Sequence, residues 1–349
     1  MKARVRRLLL VLAAAALLLD GGLLLAGRLG AASLPEEDTA YFLDVGEGDC
    51  TLLVSGGSTV LVDAGTPEGA PALVRELKSL GVRRLDAVIA THPHADHIGG
   101  MEEVLRAFPV RSFYMSAETQ SDGLDAALRR RRLTPLVPYD GETLTLKGGA
   151  SLTFLGPAED IPADQINDRS LITLFQTGSA SVLLMGDAEE PAEQSLLRHH
   201  PGLRCDILKV GHHGSDTSSS PAFLSALGAQ TAIISCGTDN DYGHPTEAAL
   251  NRLSACGIPV YRTDLLGAII AVPDGKTVPL TSASNEAPPA SDASSQTAGS
   301  YGYVGNSSSK VVHLASCGKL PGESNRVYFA SLDEALAAGY RKHASCLGS

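Results

Sequence analysis

The stretch Val88–Val104, VIATHPHADHIGGMEEV, places His92, His94, Asp96 and His97 within six residues, directly after an apolar β-branched run. Imidazole and carboxylate groups at that density suit divalent cations such as Zn or Mn. On a turn leaving a strand, side chains two apart converge on one side, while the Asp and the next His face an adjacent point. The spacing therefore predicts two ligand sets, and two cations about 3.5–4 Å apart can share a bridging hydroxide. As core residues these four groups would each need a buried partner of their own.

The elements that must hold this turn are legible around it. TAYFLDVGEGDCTLLVSGGSTVLVDAG reads as paired strands, with Gly56-Gly57 as a hairpin turn. PALVRELKSLGV has apolar residues at helical spacing and ends at Gly81, a C-terminal cap. LDAVIATH is a buried strand delivering the histidines. Farther on, SLTFLG, SLITLFQTG and SVLLMGDA read as strands, EPAEQSLLRHH as a helix and CDILKVGHHGS as a strand with a loop. PAFLSALGA and TEAALNRLSACG read as helices flanking the strands TAIISCG and PVYRT. Two strand-rich halves with helices between them predict a layered α/β sandwich, helices outside.

The chain has 349 residues, 44% of them hydrophobic, enough for a substantial core. With 28 Lys plus Arg against 39 Asp plus Glu, its formal charge is −11, which argues against a surface that holds nucleic acid by unspecific phosphate attraction, so that any nucleic-acid contact must be local. The one basic run, Arg129–Arg132, reads as a solvated helix end, with a phosphate-contacting rim as the other reading. At the N-terminus Lys2, Arg4, Arg6 and Arg7 precede the apolar run Leu8–Leu19, and Gly30, Ala31 and Ala32 follow. Residues 1–33 thus form a secretory signal or an N-terminal membrane anchor, extended by Leu23–Ala26 and interrupted by Asp20. The expected location is extracellular or at the cell surface, with the membrane met only through this segment; no protein partner is inferred.

Residues 281–300 are almost entirely Ser, Ala, Thr, Pro and small polar residues, a linker. The 49 residues beyond it, 301–349, are too few for a core without a staple. They hold His313-x3-Cys317 and His343-x2-Cys346, an N2S2 set suited to one tetrahedral structural Zn. A Cys317–Cys346 disulfide is the alternative in an exported chain, and it leaves the two histidines unexplained. Cys50, Cys205, Cys236 and Cys256 sit singly beside apolar stretches and are expected as buried free thiols.

THPHADHIGG resembles the signature of the metallo-β-lactamase fold. Asp63 in VLVDAG matches the early Asp that supports the metal turn, and Asp187 in LLMGDA the later bridging carboxylate. LKVGHHGS supplies the terminal histidine, where the spacing to Ser215 favours His213 over His212. FLDVGEGD, MGDAEE, LKVGHHGSDTSSS, YGHP and VYRTDLLGAI extend the likeness over about residues 38–275. Together they resemble the hydrolase domain of ComEC-type competence proteins, DNA-uptake channels whose domain is credited with degrading one DNA strand. The resemblance implies an αββα sandwich, with a small α+β zinc module after the linker. It also implies two Zn or Mn ions, hydrolysis by metal-activated water, and DNA as the substrate.

In that scheme Asp96 ligates the second metal and orients the water. His244 in DYGHP, Ser215 and Lys209 bind a phosphate oxygen or protonate the leaving group. Lys209 as a strand-end solvent charge and His244 as a turn residue are the bland readings. Two departures stand out. Apart from its leader the chain has no membrane helices, so it is expected to be a free-standing relative without the channel. Where many members carry a further His, this sequence has Asn167 and Asp168; the resemblance implies that Asn or Asp serves as a weaker ligand, the alternative being one loosely held metal, which leaves second-site occupancy open. The tail resembles an Ada-type zinc-binding module, with SKVVHLASC and EALAAGYRKHASC as its ligand pairs and His in place of two of four Cys; that resemblance implies DNA contact. The alternative functions are a hydrolase of a small ester, lactone or amide, β-lactams included, or a surface DNA-binding protein with a decayed hydrolase domain. A full set of His92, His94, Asp96, His97 and Asp187 argues against decay.

Overall fold

The computed structural model describes residues 34–238, 240–273, 280–282, 303–306, 309–314, 326–329, 336 and 340–343. The expected leader, most of the expected linker, Cys317 and Cys346 lie outside the described residues. Two compact units divide after Pro288.

Short β-branched runs of the first unit pair into two sheets. One has eight strands: β1 (Thr39–Phe42), β2 (Thr51–Ser55), β3 (Ser58–Val62), β4 (Leu85–Ala90), β5 (Val110–Met115) and β6 (Pro135–Leu136), with two later strands at its edge. The other contains β7 (Thr143–Thr145), β8 (Ser151–Phe154), β9 (Thr173–Gln176), β10 (Ser181–Leu184), β11 (Ile207–Lys209), β12 (Thr231–Ile234) and β13 (Val260–Arg262). The chain returns to the first sheet with β14 (Ile269–Ala271) and β15 (Leu280–Ser282), giving the order β15-β14-β1-β2-β3-β4-β5-β6. Thr281 and Ser282, expected in the linker, instead pair with Ile270 and Ile269 along β14, whose free edge offers backbone partners.

Helices α1 (Ala70–Ser79), α2 (Ala95–Ile98), α3 (Met101–Ala107) and α4 (Asp122–Arg131) belong to the first half. Helices α5 (Glu190–His199), α6 (Pro221–Leu227), α7 (Glu247–Ala255) and α8 (Thr263–Leu266) belong to the second. In α1, Leu73 and Leu77 share one face and pack with Leu105 and Leu128 of α3 and α4 on the outside of the first sheet. Leu196, Phe223, Leu224 and Leu253 form the corresponding layer outside the second sheet. Between the sheets, Phe42, Leu53, Val60 and Ile89 meet Leu152, Phe154, Phe175 and Leu184. The layers therefore run αββα. Gly81 follows the end of α1 at φ +91°, as a C-terminal cap should.

The site depends on parallel pairing: β3 with β4, and β10 with β11. Parallel neighbours release their loops at the same end, so Asp63, the histidine turn, Asp187 and the HHG segment all emerge at carboxyl ends of strands. Arg129–Arg132 ends α4 in solvent, with Arg131 bonded to the Phe108 carbonyl (2.8 Å). Cys50, Cys205 and Cys236 are buried free thiols, but Cys256, expected buried, is exposed because it caps α7 on the outer face.

The second unit contains β16 (Tyr303–Asn306), β17 (Val311–Leu314), β18 (Arg326–Phe329) and β19 (Arg341–Lys342), in the order β18-β16-β17-β19. It brings the His313 and His343 rings to 4.0 Å between centroids, and the buried His313 Nδ1 has no hydrogen-bond partner. Among the described residues no helix is long and apolar enough to cross a membrane.

Candidate metal centre

Asp63 closes β3 in the left-handed region, at φ +58°. Its Oδ1 accepts the Thr91 backbone N–H (2.9 Å), and its Oδ2 accepts the Thr91 hydroxyl and His97 Nδ1 (2.7 Å each). Because the Thr91 hydroxyl proton is committed to Asp63, its oxygen is left to accept from His92 Nδ1 (3.1 Å). His213 Nδ1 donates to the Ser235 carbonyl (3.0 Å). Three rings thus have Nδ1 committed outward, which leaves Nε2 facing inward. The turn is clamped by Asp49 N–H to the Asp96 carbonyl (3.1 Å) and Ala64 N–H to the His97 carbonyl (2.7 Å). Gly48 makes that approach possible, since a Cβ there would lie 2.3 Å from the Asp96 oxygen.

Two donor sets result. Asp96, His97, Asp187 and His213 offer atoms all within 4.8 Å of one another, as do His92, His94 and Asp187. Asp187 serves both sets with different oxygens. Its Oδ1 is 3.0 Å from His97 Nε2 and 3.5 Å from His213 Nε2, while its Oδ2 is 3.4 Å from His92 Nε2. His92 Nε2 and His94 Nδ1 are 3.0 Å apart, and Asp96 Oδ2 is 3.2 Å from His213 Nε2.

Residues 211–214, GHHG, form a tight turn in which two consecutive histidines adopt positive φ: +48° at His212 and +52° at His213. Such backbone costs about 1–3 kcal/mol per residue and persists where the surroundings fix it. Here the His212 N–H is held by the Gly186 carbonyl (3.1 Å) and the His213 ring by Ser235. The two rings part. His213 joins Asp96 and His97, whereas His212 turns its Nε2 to 3.9 Å from Asp187 Oδ2 and bonds Glu189 Oε1 through Nδ1 (2.8 Å). Glu189 Oε1 also accepts Asn167 Nδ2 (3.0 Å), leaving the buried Asn167 Oδ1 without a partner. Asn167, Glu189 and the exposed His94 border a cavity of about 350 Å³. Asp168 instead caps α5, accepting the backbone N–H groups of Glu189 and Ala192.

The charges are mutually dependent. Burial alone would push the Asp187 carboxyl up, but the charges of His97 and His213, with His92 close by, hold it well below the usual carboxylate range. Burial likewise opposes ionisation of Asp96, and the His213 hydrogen bond with the nearby imidazoles brings it down to about 2. Against their own burial, His97 and His213 are raised, chiefly by Asp187. His92 is lowered by burial and by His97. The donor set fits divalent cations: the inward Nε2 atoms of His97 and His213, 3.3 Å apart, face a buried Asp187 Oδ1 that no hydrogen bond satisfies, and a cation displacing the imidazole protons would meet all three.

Of the residues expected at the substrate, Lys209 is neither a phosphate ligand nor a solvent charge. It is 1% exposed and paired with buried Asp49 (2.8 Å), its Nζ also reaching the Val210 carbonyl. Ser215 is buried and bonded to Thr217 (2.9 Å). His244 does stand at the centre, its ring near-parallel to that of His213 (6.2 Å, 21°); burial, His212 and His213 lower its pKa, keeping it neutral. Sequence reasoning did not assign Glu189 or Asp49, although both lie in the quoted MGDAEE and FLDVGEGD stretches; a second carboxylate beside each motif Asp was the available signal.

A model of the metallo-beta-lactamase superfamily matches residues 43–238. Competence protein ComA of Neisseria gonorrhoeae is 35% identical over 252 residues, 71% of this chain and 34% of that protein. ComE operon protein 3 of Bacillus subtilis is 32% identical over 258 residues, 68% of this chain and 33% of that protein. The chain thus spans about a third of the length of the curated relatives it matches. Among solved structures, the metallo-beta-lactamase fold protein YhfI from Bacillus subtilis is 15% identical, covering 65% of this chain and 96% of that one at a TM-score of 0.44. With a family match over more than half of its length and the donor residues falling within it, the chain belongs to the metallo-beta-lactamase superfamily.

Proposed function

We propose that the chain is an exported, metal-dependent phosphodiesterase acting on DNA. The observation that carries this reading is the pair of donor sets sharing Asp187, in a chain whose described relatives are competence proteins. His92, His94 and Asp187 Oδ2 would hold one cation, with His212 on the same side; Asp96, His97, His213 and Asp187 Oδ1 would hold the other. A pair of divalent cations, Zn or Mn, supplies Lewis-acid activation of water and neutralises charge on a phosphodiester. The protein's own part is positional: Asp63, Thr91, Ser235 and Glu189 fix the tautomer and direction of the four imidazoles they touch. Asn167 and Glu189 keep the His94 side open, and neutral His244 offers an N–H to a phosphate oxygen.

In the second unit His313 and His343, with Cys317 and Cys346, would hold one structural Zn, and the unit would contact DNA. The likeness to competence proteins supports a site of action at the cell envelope.

The test is cleavage of single- and double-stranded DNA by the protein with Mn or Zn, beside Asp187→Ala. Cleavage that falls at least a thousandfold in the variant, with an unchanged circular dichroism spectrum, is expected. No cleavage by metal-loaded protein would put the small-ester hydrolase first.

A further inference from the structure

The loop before α7 carries an aromatic side chain that the metal centre does not use. Tyr242 is 71% exposed, yet its ring lies near-parallel to that of His244 (5.9 Å, 18°), which in turn lies near-parallel to His213 (6.2 Å, 21°). These are offset stacks, so three rings form a ladder from a proposed cation ligand out to solvent. Asn240 braces the loop: its Oδ1 accepts the His244 N–H (2.9 Å), and its Nδ2 donates to the carbonyls of His244 (2.6 Å) and Gly237 (2.9 Å). Tyr242 is therefore a flat apolar ring on a braced loop, one face on His244 and most of its surface in water.

We propose that Tyr242 is a positioning residue that stacks a nucleobase next to the scissile phosphodiester; this rests on the phosphodiesterase reading above. Stacking on an aromatic ring accepts any base, in keeping with a site that must process DNA of any sequence. Within a duplex both faces of a base are covered by its neighbours, so the platform takes a base from a single strand or a frayed end. Single-stranded substrate is then selected at the centre itself, by the base rather than by phosphate attraction alone.

The experiment compares two chromogenic diesters that share a leaving group, thymidine 5′-(p-nitrophenyl phosphate) and methyl p-nitrophenyl phosphate, with the manganese-loaded full chain. The readout is the ratio of kcat/KM for the nucleoside ester over the methyl ester. Stacking worth about 1–3 kcal/mol per base converts to roughly 5- to 150-fold, so Tyr242→Ala should lower the ratio about tenfold and Tyr242→Phe should keep it. An equal fall with the 5-methyluridine ester, which carries the same base on ribose, supports recognition of the base whatever its sugar; a fall confined to thymidine assigns a DNA strand. A ratio untouched by Tyr242→Ala, or lowered as much by Tyr242→Phe, overturns the platform alone. Hydrolysis of neither ester by the unaltered protein overturns the phosphodiesterase reading and the platform with it.

Discussion

At the scale of single residues, the buried Lys209–Asp49 pair has the largest predicted effect. It sits with side chains 2% and 7% exposed, next to the donor set, and Lys209, together with His213 and His97, outweighs the burial that would otherwise push the Asp49 carboxyl up. Lys209→Met strands a buried carboxylate, a change that costs about 3–5 kcal/mol. We expect a fall in unfolding temperature on the order of 10 °C, largely recovered by the double change Lys209→Met with Asp49→Leu; thermal denaturation checks both. This pair also marks the limit of what could be read from sequence. His92, His94, Asp96 and His97 are legible because four donors fall on one turn. The partner of Lys209 is 160 positions away, and no local pattern names it. The same holds for His212 and His213: spacing weighs one against the other, whereas positive φ at both directs each to a different side of Asp187.

At the scale of elements, the strands and helices follow from their periodicity, and departures occur where a side chain or a partner edge redirects the backbone. The stretch SLITLFQTG enters β9 only at Thr173, because Ser170 first receives the Asp187 N–H and the Leu171 N–H goes to the Thr91 carbonyl. The β2–β3 hairpin was legible from Gly56-Gly57, and the structure adds a second demand on Gly56: at φ +54°, a Cβ would lie 2.4 Å from the Gly148 nitrogen. Gly56→Ala should therefore cost more than the ~1–2 kcal/mol of a left-handed residue, read as a lower urea midpoint at unchanged slope. Between α5 and α6, buried Glu193 accepts the backbone N–H groups of Ser219 and Ser220. Burial raises its pKa, outweighing those bonds. A raised carboxyl stabilises the fold fully below the ordinary value of about 4.3 and loses that contribution as pH rises through the folded value. The stability of the unaltered protein minus that of Glu193→Gln should accordingly decline from pH 4 towards pH 7 in denaturant titrations.

At the scale of the whole molecule, fold class was readable from alternating strand-rich halves and from one motif, but the assignment of donors to sheets was not. His92, Asp96 and His97 leave the first sheet, whereas Asp187 and His213 leave the second. A cation held by Asp96, His97, Asp187 and His213 is consequently a cross-link between the two halves of the sandwich, made and broken by mass action. Binding at a hundredfold excess over Kd stabilises the folded state by about 2.7 kcal/mol. Titrating manganese into ion-free protein should raise the unfolding temperature progressively, and Asp187→Ala should flatten that rise. Catalytic readiness and resistance to proteolysis then become one property, so that a molecule starved of metal would be open to degradation rather than persist as an inactive copy.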